Sequence, residues 1–139
     1  PAPAPAPALT PPMTPTRTAL LLIAHGSRRP EANADLEFVA AAMRAGGRYP
    51  VVKVAYLELA EPGIEAGGAA CAADGATDVI LLPYFLSPGV HVTDDLTEAR
   101  DKLADRFPGV RFVLAEPLGR HPLLLDVVAA RAAEAEGVG

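Results

Sequence analysis

The sequence predicts a single doubly wound α/β domain: a four-stranded parallel sheet with helices on both faces. Three observations predict it. Short aliphatic runs alternate with segments of helical period, giving the succession βαβαβαβα. The runs are apolar throughout rather than at every second position, as expected of strands covered on both sides. The chain has 139 residues, which suits one domain at about 100–200 residues each. Right-handed crossovers make 2-1-3-4 the expected strand order, and the distinctive residues do not recur, so the chain holds one such unit rather than two.

Residues 1–15 alternate Pro with Ala and Thr, in an arm that runs over residues 1–17. That composition gives an extended polyproline arm with little to bury, expected to be disordered, and Met13 is a candidate start residue within it. The domain is expected over residues 18–139. Its first strand is Ala19–Ala24. Pro30 suits a first helical turn, and Leu36, Val39 and Met43 then share one helix face until Gly46-Gly47 stops it. Val51–Leu57 is the second strand. Pro62 opens a second helix, ending at Gly75, whose Ala-rich length and Gly67-Gly68 pair imply close packing on the sheet, since each Gly costs about 1 kcal/mol against Ala in a helix.

Val79–Tyr84 is the third strand, followed by a loop over Phe85–Val92. Thr93 is the expected N-cap of the third helix, with Asp94 and Asp95 in its first turn, where the helix dipole favours acids. Leu96, Ala99, Leu103 and Phe107 supply its buried stripe. Val110–Ala115 is the fourth strand, and Pro122 begins a last helix carrying Leu124, Val127 and Val128.

Composition excludes several functions. The net charge of -5, with aromatics at 5% and no Trp, leaves neither the clustered cations that duplex DNA requires nor stacking platforms for single strands. Cys71 is the only cysteine, so an internal disulfide and a Cys-rich zinc site are ruled out, and a reducing, cytoplasmic setting fits. Its place among alanines marks it as a buried structural thiol. The longest apolar run, around Ala19–Ala24, is far short of the ~20 residues of a membrane span. No P-loop, dinucleotide fingerprint or Gly-x-Ser-x-Gly elbow is present.

Ligands of open parallel sheets gather beyond the carboxyl ends of the strands. His25 follows the first strand, Glu58 the second, His91 lies in the loop after the third, and Glu116 closes the fourth. Two imidazoles and a carboxylate on one rim can bind a divalent metal with coordination positions left open, although any one of them alone is ordinarily a hydrogen-bonded or solvated rim residue. Gly26-Ser27-Arg28-Arg29 offers amides, a hydroxyl and guanidinium forks to an anion near a helix start. His121, just before Pro122, is expected on the surface or as a cap.

Leu22-Ile23-Ala24-His25-Gly26-Ser27-Arg28, Tyr56-Leu57-Glu58-Leu59-Ala60-Glu61-Pro62, Pro83-Tyr84-Phe85-Leu86, Gly89-Val90-His91-Val92-Thr93-Asp94-Asp95 and Glu116-Pro117-Leu118-Gly119 occur in this order. Together they resemble the successive motifs of the sirohydrochlorin chelatase (CbiX/SirB) family in its short, single-domain form. The resemblance implies insertion of Co²⁺, Fe²⁺ or Ni²⁺ into sirohydrochlorin, for cobalamin, sirohaem or a related tetrapyrrole. It places the metal-binding histidines at His25 and His91 and the acidic active-site residue at Glu58. It also implies a homodimer, with no permanently bound cofactor, because the metal is a substrate.

On that reading His25 and His91 hold the ion, and Glu58 accepts a pyrrole proton or steadies the metal. Ser27, Arg28, Arg29 and Arg120 meet the substrate and its carboxylate arms. One alternative keeps the metal but makes the protein a non-catalytic metal or tetrapyrrole carrier. Another makes His25 a phosphoryl-accepting nucleophile, because His-Gly-Ser-Arg superficially resembles the Arg-His-Gly start of phosphoglycerate mutase-like enzymes; no Arg precedes His25, which tells against it.

Overall fold

The computed structural model describes residues 15–137, so most of the Pro/Ala-rich arm and the last two residues lie outside the described residues. Four strands, β1 (Thr18–Ala24), β2 (Val51–Tyr56), β3 (Asp78–Pro83) and β4 (Arg111–Leu114), alternate with four helices, α1 (Pro30–Gly46), α2 (Ile64–Ala73), α3 (Val90–Arg106) and α4 (Pro122–Gly137). The sheet is parallel in the order β2-β1-β3-β4, as the crossover rule requires. Arg17, immediately before β1, is tied to the start of β3: its amide donates to Thr77 Oγ1 at 2.8 Å and its carbonyl accepts from the Thr77 amide at 2.8 Å.

The unbroken aliphatic run of β1 splits between two cores. Ala19, Leu21 and Ile23 pack with Leu81, Leu96, Leu103 and Phe112 under α2 and α3. Leu20 and Leu22 pack with Leu36, Ala40, Val52 and Val54 under α1. A strand that alternates between two apolar layers has no polar position to show, which is why period-2 patterning is absent. The glycine pair of α2 packs closely, as its composition implies. A Cβ on Gly68 would stand 2.5 Å from Leu103 Cδ1, and one on Gly67 would stand 3.0 Å from Ala55 Cβ, so α2 seats against both the sheet and α3.

Three expectations need correction. The second helix starts at Ile64, not Pro62, because the Pro62 carbonyl is drawn to the sheet edge, where it accepts from the Tyr56 amide at 2.9 Å and Gly63 bridges to Tyr56. The third helix starts at Val90 with Gly89 as N-cap, not at Thr93. Thr93 lies within the helix and its hydroxyl donates back to the Gly89 carbonyl at 3.1 Å, which places His91 in the first helical turn rather than in a loop and moves Asp94 and Asp95 beyond that turn. Finally, the last helix forms where expected but covers neither face: α4 has no buried residue, and Leu123, Leu125, Val127 and Val128 are exposed. The helical layers of this chain are therefore α1 on one face and α2 with α3 on the other.

Candidate functional site

The ladder between β1 and β2 continues past both strands. Leu57 donates its amide to the Ala24 carbonyl at 3.0 Å, and Glu58 donates to the His25 carbonyl at 3.0 Å. His25 and Glu58, 33 positions apart in the chain, are thus backbone neighbours on the carboxyl rim. The chain leaves this contact through Gly26, at φ 93, where a Cβ would sit 1.9 Å from the Glu58 carbonyl oxygen. Only a residue without a side chain lets the two loops approach this closely.

The His25 ring stands edge-on to Phe85, with centroids 4.8 Å apart and planes at 83°. Phe85 is buried just after β3, and its carbonyl accepts from the Leu118 amide at 2.9 Å, beyond β4. One aromatic residue therefore fixes the imidazole's orientation and ties the third and fourth loops together. His25, Glu58 and His91 are all solvent-exposed, as groups that must take up and release a ligand require.

The turn after His25 is locked by a residue that the sequence reading passed over. Asn33, in the first turns of α1, accepts from the Ser27 amide at 2.9 Å through Oδ1 and donates through Nδ2 to the Ser27 carbonyl at 2.8 Å. The Ser27 hydroxyl accepts from the Arg29 amide at 3.0 Å, and the Tyr56 hydroxyl donates to the Asn33 carbonyl at 3.2 Å. Burial first, and the nearby Glu37 carboxylate second, raise the Tyr56 phenol above its ordinary pKa, so it remains a donor. An Asn three residues into a helix opened by Pro30 is the only trace this clamp leaves in the sequence.

Several hollows open along the rim of the described residues, among them one of about 540 Å³ beside Arg28, Asn33 and Glu61. The largest, about 720 Å³, is lined by Glu58, Glu61, Asp95, Glu98 and Lys102, with Lys102 paired to Glu98 at 3.0 Å. His25, Ser27, Asn33, Asp35, Tyr56 and Tyr84 line one of about 240 Å³. Glu116 and Arg120 line another, of about 640 Å³, on the β4 side. The acidic excess of the largest attracts cations. Arg28, Arg29 and Arg120 are exposed and form no ion pair with any described residue, which leaves their guanidinium forks available to an anion. Among the described residues no three His, Cys, Asp or Glu side chains converge as a ready-made metal cage.

His121 precedes α4, and its Nδ1 accepts from the Leu123 amide at 3.1 Å, a capping role like the one its position implies. Cys71 is fully buried, and burial pushes its thiol up to about 11, which makes it an inert packing residue, as its alanine-rich surroundings imply.

The family model CbiX matches residues 19–135. The chain is 39% identical to the chloroplastic sirohydrochlorin ferrochelatase of Arabidopsis thaliana over 109 residues, covering 78% of this chain and 48% of that protein. Among solved structures, the sirohydrochlorin chelatase SirB of Bacillus subtilis subspecies spizizenii, in complex with cobalt, superposes with a TM-score of 0.77 at 30% identity, over 86% of this chain and 51% of that one. A CbiX protein from Marinobacter aquaeolei VT8 superposes with a TM-score of 0.77 at 26% identity, over 88% of this chain and 99% of that one. The chain thus spans about half the length of the longer relatives and nearly all of a short one.

Proposed function

The chain belongs to the CbiX family, and from that premise we propose that it is a chelatase inserting a divalent metal ion, Co²⁺, Fe²⁺ or Ni²⁺, into sirohydrochlorin. The observation that carries this reading is the backbone bond that joins His25 to Glu58 on the rim, within a chain whose relatives include a ferrochelatase and a chelatase solved with cobalt.

Insertion has three requirements: the ion must lose water, the macrocycle must present its nitrogen lone pairs, and two pyrrole protons must leave. Neutral imidazoles of His25 and His91 are ligands of intermediate softness, able to hold these ions and still release them to four macrocycle nitrogens. The acidic hollow beside Glu58 raises the local cation concentration, and the exposed Glu58 carboxylate takes one pyrrole proton as the metal enters, passes it to solvent water and then takes the second. Arg28, Arg29 and Arg120 meet the carboxylate arms and orient the ring. Affinity among these ions follows the Irving–Williams order, so cellular supply rather than this donor set selects the metal.

A tetrapyrrole is too broad for one open rim to enclose, and we assign the active form to a homodimer whose two rims face one macrocycle. The test is metal insertion by the purified chain, followed through the absorbance of sirohydrochlorin with Co²⁺, Fe²⁺ and Ni²⁺ in turn. Many turnovers per chain are expected. Metallation that stops at one equivalent would make the protein a carrier, and rates equal to the uncatalysed reaction with every metal would overturn the assignment.

A further inference from the structure

Backbone strain and apolar exposure coincide at one residue of the rim. Leu59 follows Glu58 in the loop between β2 and α2, and its backbone is left-handed at φ 64. Among the described residues other than glycine only Leu59 and Arg120 have a positive φ, and both stand in loops on the carboxyl side of the sheet. A bulky side chain is disfavoured in that conformation because its Cβ crowds the following carbonyl, whereas Gly or Asn takes the same backbone at little cost.

The turn itself is compulsory. Before Leu59 the loop is fixed to β1, where the Leu57 and Glu58 amides donate to the Ala24 and His25 carbonyls, each at 3.0 Å. After it, the Pro62 carbonyl accepts from the Tyr56 amide at 2.9 Å. Residues 57–61 must reverse direction between these fixed points, and Leu59 at their centre takes the left-handed step. The leucine is not compulsory. Its side chain belongs to neither apolar core and is 52% exposed, so packing within the chain does not offset the strain. A strained residue that the fold does not need points to a ligand.

The surroundings of Leu59 narrow the chemistry of that ligand. Leu59 and Glu61 are the exposed residues common to the walls of the acidic hollow and the Arg28 hollow, which makes Leu59 the apolar part of the ridge between them. Tyr84 and Leu86 are exposed after β3, and outside α4 every large apolar side chain that the described residues expose, except Phe38, lies on this rim. Apolar side chains and unpaired guanidinium groups on one rim suit a ligand with a broad apolar plate and anionic arms.

We propose that Leu59 is a substrate-positioning residue whose side chain packs on the apolar face of the macrocycle beside Glu58. The inference rests on the chelatase reading above and adds to it a residue that touches the ring rather than the metal or the carboxylate arms. The left-handed turn holds the leucine in solvent before the substrate arrives, so contact requires no rearrangement of the loop. Leu59 carries no proton and no metal, so its contribution is to binding and not to the chemical step.

Absorbance titration with metal-free sirohydrochlorin, and insertion kinetics with Co²⁺, test this on wild type, Leu59→Asn and Leu59→Met. Asn suits the left-handed backbone but removes the apolar contact, and Met retains the contact. Leu59→Asn should raise both Kd and KM for sirohydrochlorin by roughly tenfold, the loss expected for one apolar side chain buried by a ligand. The loss should be equal at low and high salt, since no charge changes. Its kcat and Co²⁺ affinity should match wild type, its melting temperature should be no lower, and Leu59→Met should bind as wild type does. A wild type that does not bind sirohydrochlorin would overturn the chelatase reading and the role of Leu59 together. Where wild type binds, an unchanged Kd in Leu59→Asn, a loss confined to kcat, or an equal loss in Leu59→Met would overturn the role of Leu59 alone. A lowered melting temperature in Leu59→Asn would also overturn it, by assigning the leucine to the fold.

Discussion

The amide of Glu58 donates to the carbonyl of His25 at 3.0 Å, which joins the backbones of the first and second crossovers where they carry these two side chains on the rim. The bond extends a parallel ladder by one step, so the stability of the sheet itself holds the pair together.

Gly26→Ala should break that junction. The left-handed backbone alone costs an alanine about 1–2 kcal/mol, and the new Cβ would collide with the Glu58 carbonyl, so the two loops must separate. Urea unfolding is expected to show at least that loss, with insertion reduced more than tenfold. Unchanged stability and rate would show that the close approach is dispensable.

Glu58→Gln keeps size and hydrogen-bonding shape while removing the proton acceptor. A general base contributes about 10²–10⁴-fold, so kcat should fall within that range while sirohydrochlorin still binds. Recovery of the rate at high metal concentration would instead identify Glu58 as a metal ligand.

His25→Ala and His91→Ala should each weaken metal binding and abolish most insertion with the fold intact, since both side chains are exposed. His121→Ala removes a cap worth about 1 kcal/mol and should lower the melting temperature while leaving most activity. Calorimetric titration with Co²⁺ alongside turnover separates these effects, and equal losses in all three variants would contradict the ranking.

Asn33→Ala removes both arms of the clamp on Ser27. Each hydrogen bond is worth about 0.5–1.5 kcal/mol, and the freed turn should raise KM for sirohydrochlorin more than it lowers kcat. Asn33→Asp, which retains only the acceptor, should lie between the two. Kinetics indistinguishable from wild type would remove Asn33 from the site.

The Cys71 thiol is raised by burial from 9.0 to about 11. The folded state therefore holds its proton at pH values where the unfolded chain has lost it. This contribution is fully present below pH 9 and is lost as the pH rises toward 11. Cys71→Ala should flatten the fall in stability across that window, as measured by denaturation midpoints at a series of pH values. An unchanged slope would assign the alkaline loss to other groups.

The sequence by itself determined what depends on neighbours along the chain. Aliphatic runs such as Leu20–Ile23 can only be buried strands, Gly67-Gly68 can only mark close packing, and the succession of elements leaves 2-1-3-4 as the natural sheet. These signals are local or combinatorial, so they survive without coordinates. Tertiary structure decided where distant groups compete for the same backbone. The Pro62 carbonyl goes to Tyr56 and delays α2, while helix formation from Gly89 draws His91 into α3 and leaves Thr93 no cap to make. Asn33 reveals its role only when the turn after His25 folds over it. The course of α4 lay furthest from the sequence, because its apolar residues show that it must be covered but its direction is fixed by a hydrogen-bonded junction between Phe85 and Leu118, residues that meet only once β3 and β4 are side by side.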